Sequence, residues 1–201
     1  MKSLEMIIQG YHNFHKNFQA GNDHGLNDLS DSQQPKIMVI TCCDSRVKLE
    51  TLFGVNPGDL FIVRNVANVV PPRENDDGRH GVSAALEFAV RGLGVKHIIV
   101  MGHSNCGGIK ALRSGKSGFD YVDSWMSHIR EANDRIESLG ADVDVQQEVE
   151  YENVRLGLER LRSFPWIAEA IQAGALDIHG WHFNIKNGSV SKVTADGSQP
   201  L

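Results

Sequence analysis

Three residues of this chain have the chemistry of a metal centre: Cys42, His103 and Cys106. Cys42 opens the run Cys42-Cys43-Asp44-Ser45-Arg46, and the other two stand three apart in His103-Ser104-Asn105-Cys106-Gly107-Gly108. Two cysteines and one histidine form a donor set that catalytic zinc uses while keeping its fourth position open for water. A His-x-x-Cys pair alone is a weak signal, and a cysteine after a separate strand makes it much stronger. Each run follows an apolar, β-branched stretch, residues 37–41 and 97–101, so each is expected at the carboxyl end of a strand.

Side chains alternate along an extended strand end, which groups Cys42, Asp44 and Arg46 on one face and favours Cys42 over Cys43 as the ligand. Asp44 and Arg46, two apart, invite an ion pair. A carboxylate held by a guanidinium can orient a nucleophilic oxygen. Released, it can occupy the metal's fourth position and block it. Cys106 precedes an expected helix start, where the dipole and free amides favour thiolate over thiol. The amides of Gly107 and Gly108 can face an anion there.

These groups need a scaffold, and the rest of the chain reads as one. Its 201 residues, 41% hydrophobic and 22% charged, suit a single domain with a sizeable core. Residues 1–201 are therefore read as one domain, with 1–34 as an amino-terminal helical arm and connection. Ser3 can cap a helix whose Leu4, Ile7, Ile8, Tyr11, Phe14 and Phe18 recur at spacings of three and four. Strands are expected at 37–41, 60–63 and 97–101, alternating with helices at 47–53, 82–90 and from Gly107 to 112. This pattern makes parallel βαβ units with helices on both faces. Further helices are expected at 122–139, at 145–161 and from Ser163, with Pro165 in its first turn. Residues 176–185 and 189–193, joined at Asn187-Gly188, read as a tight antiparallel ribbon on the sheet edge. The fold class is α/β: a mostly parallel central sheet flanked by helices.

The net charge of −5 argues against nucleic acid as a partner. The apolar runs fall far short of the roughly 20 residues needed to span a bilayer. No membrane partner is expected, and the chain is read as cytoplasmic. Three cysteines, an odd number with two adjacent, make a poor disulfide framework and are expected as free thiols.

Together, Cys42 to Arg46, the run Arg64-Asn65-Val66-Ala67-Asn68 and the Gly102 to Gly108 motif resemble the β-class carbonic anhydrases. The resemblance is strong over residues 33–112 and looser at His179-Gly180-Trp181. It implies one zinc per chain on Cys42, His103 and Cys106, an Asp44–Arg46 dyad, and interconversion of carbon dioxide and bicarbonate. It also implies a substrate pocket containing Gln33, Phe61, Val66, Phe88 and Gly107, built at the interface of a homodimer or higher even oligomer. Phe88 stands where plant-type members carry tyrosine. Val39 and Phe183 replace the tryptophan and tyrosine of members with an allosteric bicarbonate site, so the chain resembles the open, non-allosteric subgroup. Nine histidines offer proton-shuttle candidates, and the sequence does not choose among them.

Two other readings compete. Gly102-His103-Ser104-Asn105 sits where a serine hydrolase carries its nucleophile elbow, but the fifth position is Cys106 instead of glycine. A non-enzymatic zinc or redox sensor would use Cys42, Cys43 and Cys106 as switching thiols. A closed structural zinc site wants four protein ligands, and only Asp44 is at hand as the fourth.

Overall fold

A computed structural model describes residues 3–23, 25–76, 78–138 and 144–201. Six strands form one sheet: β1 (Ile37–Cys42), β2 (Leu60–Asn65), β3 (His97–His103), β4 (Asp177–Phe183), β5 (Val190–Thr194) and β6 (Gly197–Pro200), in the order β2-β1-β3-β4-β5-β6. The first four run parallel, and β5 and β6 add antiparallel. This is the mostly parallel α/β sheet with an antiparallel edge ribbon expected above. The strand missed in the sequence, β6, is a short polar edge ending in Pro200, which has neither an apolar run nor alternation to reveal it.

From β1 the chain goes to β2 on one side and then crosses to β3 on the other. Open α/β sheets bind ligands at the carboxyl ends of strands flanking such a reversal. Cys42 ends β1 and His103 ends β3, so two of the three metal donors stand at the switch point.

Both sheet faces are apolar at β1 and β3, as strands buried on both sides require. Met38, Ile40, Ile98 and Val100 pack under α3 (Gly81–Glu87), α7 (Val145–Arg162) and α8 (Pro165–Gln172). Gly180 lets α7 lie close on β4, because a Cβ there would meet Val154 Cγ1 at 2.8 Å. On the opposite face Val39, Ile99 and Met101 pack with α2 (Leu49–Phe53). Ser3 caps α1 (Leu4–Gln19), its Oγ accepting the Met6 N–H, yet no residue of α1 is buried and its apolar side is bare.

Several element boundaries differ from expectation. The helix expected at 122–139 is α5 (Val122–Met126), a 3-10 turn (Ser127–Ile129) and α6 (Arg130–Glu137); position 139 lies outside the described residues. Buried Met126, Ile129 and Ala132 recur every three residues, the period of a 3-10 helix. The helix at 82–90 passes into a π turn (Phe88–Leu93) and stops at Gly94, which is left-handed at φ 66. Ser163 does not start α8: its hydroxyl donates to Arg160 O at the end of α7, and Phe164 precedes Pro165. The β4–β5 turn is wider than a two-residue hairpin, closing with Asn184 N–H on Ser189 O. Among the described residues, no helix is long and apolar enough to cross a membrane.

Candidate metal centre

The loop after β3 brings Cys106 back over the end of β1. Donor atoms of Cys42, His103 and Cys106 all lie within 4.8 Å of one another, and the three residues are buried. The Cys42 and Cys106 Sγ atoms are 4.0 Å apart. Thiolates about 2.3 Å from a tetrahedral ion stand roughly 3.8 Å apart, so the spacing suits zinc. Nδ1 of His103 faces its neighbour's carbonyl, Ser104 O, at 3.0 Å, leaving Nε2 as the donor. That Nε2 is buried with no hydrogen-bond partner. An orphaned imidazole nitrogen beside two thiols is what a metal would satisfy.

The electrostatics agree with this fit. The contact with Cys106 first, and then the nearby His103 imidazole, pull the Cys42 thiol well below its ordinary range against the cost of burial. Cys106, facing that sulfur in a buried place, is pushed up instead. Two buried thiols this close resist losing both protons, and a bound dication would offset the second negative charge.

Asp44 borders the cluster, its Oδ2 3.7 Å from His103 Nε2. Arg46 grips it by three bonds: N–H to Oδ1 at 2.9 Å, Nε to Oδ1 at 2.9 Å and Nη2 to Oδ2 at 2.7 Å. The guanidinium holds the Asp44 carboxyl far below the usual carboxylate range. Both oxygens are engaged by Arg46.

Local backbone explains how the walls close. After β2 the chain turns through Ala67 (φ 64) and Asn68 (φ 47), a left-handed conformation that asparagine tolerates and alanine seldom adopts. The turn is clamped by Asn65, whose side chain bonds both the N–H and the carbonyl of Val69, and by Asn153 Nδ2 donating to Ala67 O. The first turn of α4 (Gly107–Arg113) then packs on Val66 and Ala67 through Gly108.

The other anticipated pocket residues divide. Gly107 follows Cys106 at the start of α4, and Val66 lies on the turn that packs against Gly108. Phe61 pairs in register with Met38, four residues before Cys42, and packs on Phe88 with ring centroids 5.9 Å apart. At about 3.3 Å per strand residue, that pair sits well down the sheet from its own chain's donors. Gln33 is exposed in the connection before β1. Within one chain, Gln33, Phe61 and Phe88 therefore do not line the cluster, because the parallel register sets them towards the other end of the strands. Cys43 is exposed, its N–H donating to Asn65 O, and it stays outside the donor cluster. Ser104 Oγ accepts the Ile185 N–H at 2.9 Å, a structural contact that ties β3 to the end of β4.

A buried carboxylate went unread in the sequence. Glu150 of α7, 2% exposed, accepts the Cys106 N–H at 2.9 Å and meets His182 of β4. An acidic residue inside a helix amid Gln146, Gln147 and Glu148 looks solvated in sequence, and nothing local marks it as inward. A second grouping, Glu74, Asp76 and His80, is more exposed. His80 Nδ1 faces Glu74 at 3.3 Å and Nε2 faces Asp76 at 2.6 Å, so opposite ring edges are engaged and the arrangement is one of surface pairs.

A family model described as carbonic anhydrase matches residues 37–190. Beta carbonic anhydrase 5, chloroplastic, of Arabidopsis thaliana is 38% identical over 175 residues, 84% of this chain. The chain spans 58% of the length of that relative and of a second Arabidopsis one, beta carbonic anhydrase 6, mitochondrial. The beta-carbonic anhydrase CcaA superposes with a TM-score of 0.84 at 31% identity, over 94% of this chain and 86% of that one. One of two tetrameric beta-carbonic anhydrases of Sordaria macrospora gives 0.82 at 29% identity, over 97% and 98%.

Proposed function

Because the chain belongs to the β-class carbonic anhydrases, we propose that it catalyses the reversible hydration of carbon dioxide to bicarbonate and a proton, with one zinc ion held by Cys42, His103 and Cys106. The observation that carries this reading is the buried, unpartnered His103 Nε2 facing two buried thiols. Bound zinc supplies acidity, lowering the pKa of a coordinated water to about 7.

The chain's own residues do the rest. Asp44, kept anionic by Arg46, is an acceptor only, so it can take a hydrogen bond from the attacking oxygen and aim the remaining lone pair. Val66 offers apolar surface for carbon dioxide beside the start of α4. Since Arg46 engages both Asp44 oxygens, the reading includes an open site in the non-allosteric manner.

We further propose that the chain works as a homodimer or higher even oligomer. The exposed face of α1, with Leu4, Ile7, Tyr11 and Phe14, needs a cover, and Sordaria relatives are tetrameric. In such an assembly Gln33, Phe61 and Phe88 would serve a neighbouring subunit's metal, and the protein is read as cytoplasmic.

The test is stopped-flow carbon dioxide hydration by zinc-loaded protein across neutral and alkaline pH, alongside a serine-directed covalent probe. Zinc-dependent hydration with no labelling of Ser104 is expected. Labelled Ser104, or one tightly bound zinc without hydration, would replace this reading with the hydrolase or the sensor.

A further inference from the structure

We propose that Glu150 is a positioning residue for the metal ligand Cys106: together with Arg46 it clamps the peptide between Asn105 and Cys106 from both edges. The inference rests on the metal-site reading above. Arg46 Nη2 donates to Asn105 O at 3.3 Å, and the Cys106 N–H donates to Glu150 Oε1 at 2.9 Å. These two groups belong to one peptide unit. In a trans peptide the oxygen and the hydrogen lie on opposite edges of the plane. A cation at one edge and an anion at the other therefore pull along the same dipole, and each bond strengthens the other. Rotating the plane, which would swing the Cys106 side chain off the cluster, breaks both.

The clamp has something to hold. Asn105 is left-handed at φ 57, a conformation that asparagine tolerates better than other side-chain-bearing residues and that sets the direction in which the following peptide leaves the loop. Glu150 is itself fixed: Gln146 Nε2 donates to Oε1 at 2.7 Å, and His182 Nε2 meets Oε2 at 3.1 Å. At 2% exposure a carboxylate needs these partners, because burying it without them is costly. A hydrogen-bonded line thus runs from Asp44 through Arg46, the 105–106 peptide and Glu150 to His182. It ties the dyad to the ligand loop and anchors both to α7 and β4.

The full-length protein is loaded with cobalt in place of zinc, since cobalt absorption reports the geometry of thiolate ligands. Metal loss to a chelator is timed in the wild type, Glu150→Ala, Glu150→Gln and the control Glu152→Ala, whose side chain pairs with Arg135 and Arg155 instead. Glu150→Ala is expected to lose metal about tenfold faster or more, with altered cobalt bands, in the range typical of groups that support metal ligands. Glu150→Gln keeps an oxygen within reach of the Cys106 N–H and is expected to restore the spectrum. Glu152→Ala is expected to lower the melting temperature with the spectrum unchanged. If Glu150→Ala does not fold, Glu150→Asp, one methylene short, takes its place with the same expectation. A folded Ala or Asp variant with wild-type bands and release rate would reduce Glu150 to a buried structural residue and overturn the clamp. A wild-type chain that takes up no cobalt overturns the metal-site reading itself.

Discussion

The Sγ atoms of Cys42 and Cys106 approach to 4.0 Å although 64 positions separate them in the chain. Two parallel strands lying side by side and one short loop achieve this, and His103 completes the set from the end of β3. Cys42→Ser, His103→Ala and Cys106→Ser are each expected to lose zinc and activity together. Cys43→Ala, altering an exposed thiol, is expected to keep one zinc per chain. Metal analysis of the purified variants decides, and equal zinc loss in the Cys43 variant would show that the wrong cysteine had been assigned.

Asp44→Asn preserves shape but gives up the anionic acceptor, so zinc is expected to stay while hydration falls by about 10² or more. Arg46→Ala frees the carboxylate to swing onto the metal, lowering turnover with zinc still bound. A crystal structure near neutral pH with Asp44 on zinc in the wild type, together with cooperative bicarbonate inhibition, would contradict this open arrangement.

The depressed Asp44 pKa sets a pH expectation. A carboxylate whose folded pKa lies below its unfolded value, about 3.9, stays anionic above that value and gives up its stabilising contribution only as pH falls through the lower folded one. Asp44 thus remains charged throughout the neutral range, and any acid limb there belongs to another group. Asp44→Asn is expected to lower the rate plateau while the acid limb of the pH–rate profile persists. Loss of the acid limb altogether in the Asn variant would assign that limb to Asp44.

Gly108 and Gly107 are neighbours with opposite tolerance. A Cβ on Gly108 would come within 2.9 Å of both Ala67 Cβ and Val66 Cγ1, whereas one on Gly107 meets nothing within 4 Å. Gly108→Ala is expected to destabilise by about 1–3 kcal/mol through overpacking and to weaken zinc retention. Gly107→Ala is expected to stay close to wild-type stability. Thermal melts of the two variants test the pair.

Sedimentation of the wild type is expected to give an even oligomer, and removal of residues 1–19 to shift it towards smaller species. An active monomer at low concentration would refute the shared-pocket reading of Gln33, Phe61 and Phe88.

What the sequence determined on its own is local. Apolar runs before Cys42 and His103 define strand ends, Ser3 marks a helix start, and alternation separates Cys42 from Cys43, because each signal depends on neighbours a few residues away. The parallel α/β class follows from the alternation of such segments, and the observed sheet agrees with it. The tertiary structure alone decided which distant groups meet. Strand register set Phe61 and Phe88 away from their own chain's donors. The rotation of α7 turned Glu150 inward onto the Cys106 N–H, while Glu148 two residues earlier is only half-buried. No local pattern distinguishes those two glutamates, since which side of a helix is inside depends on the sheet it packs against.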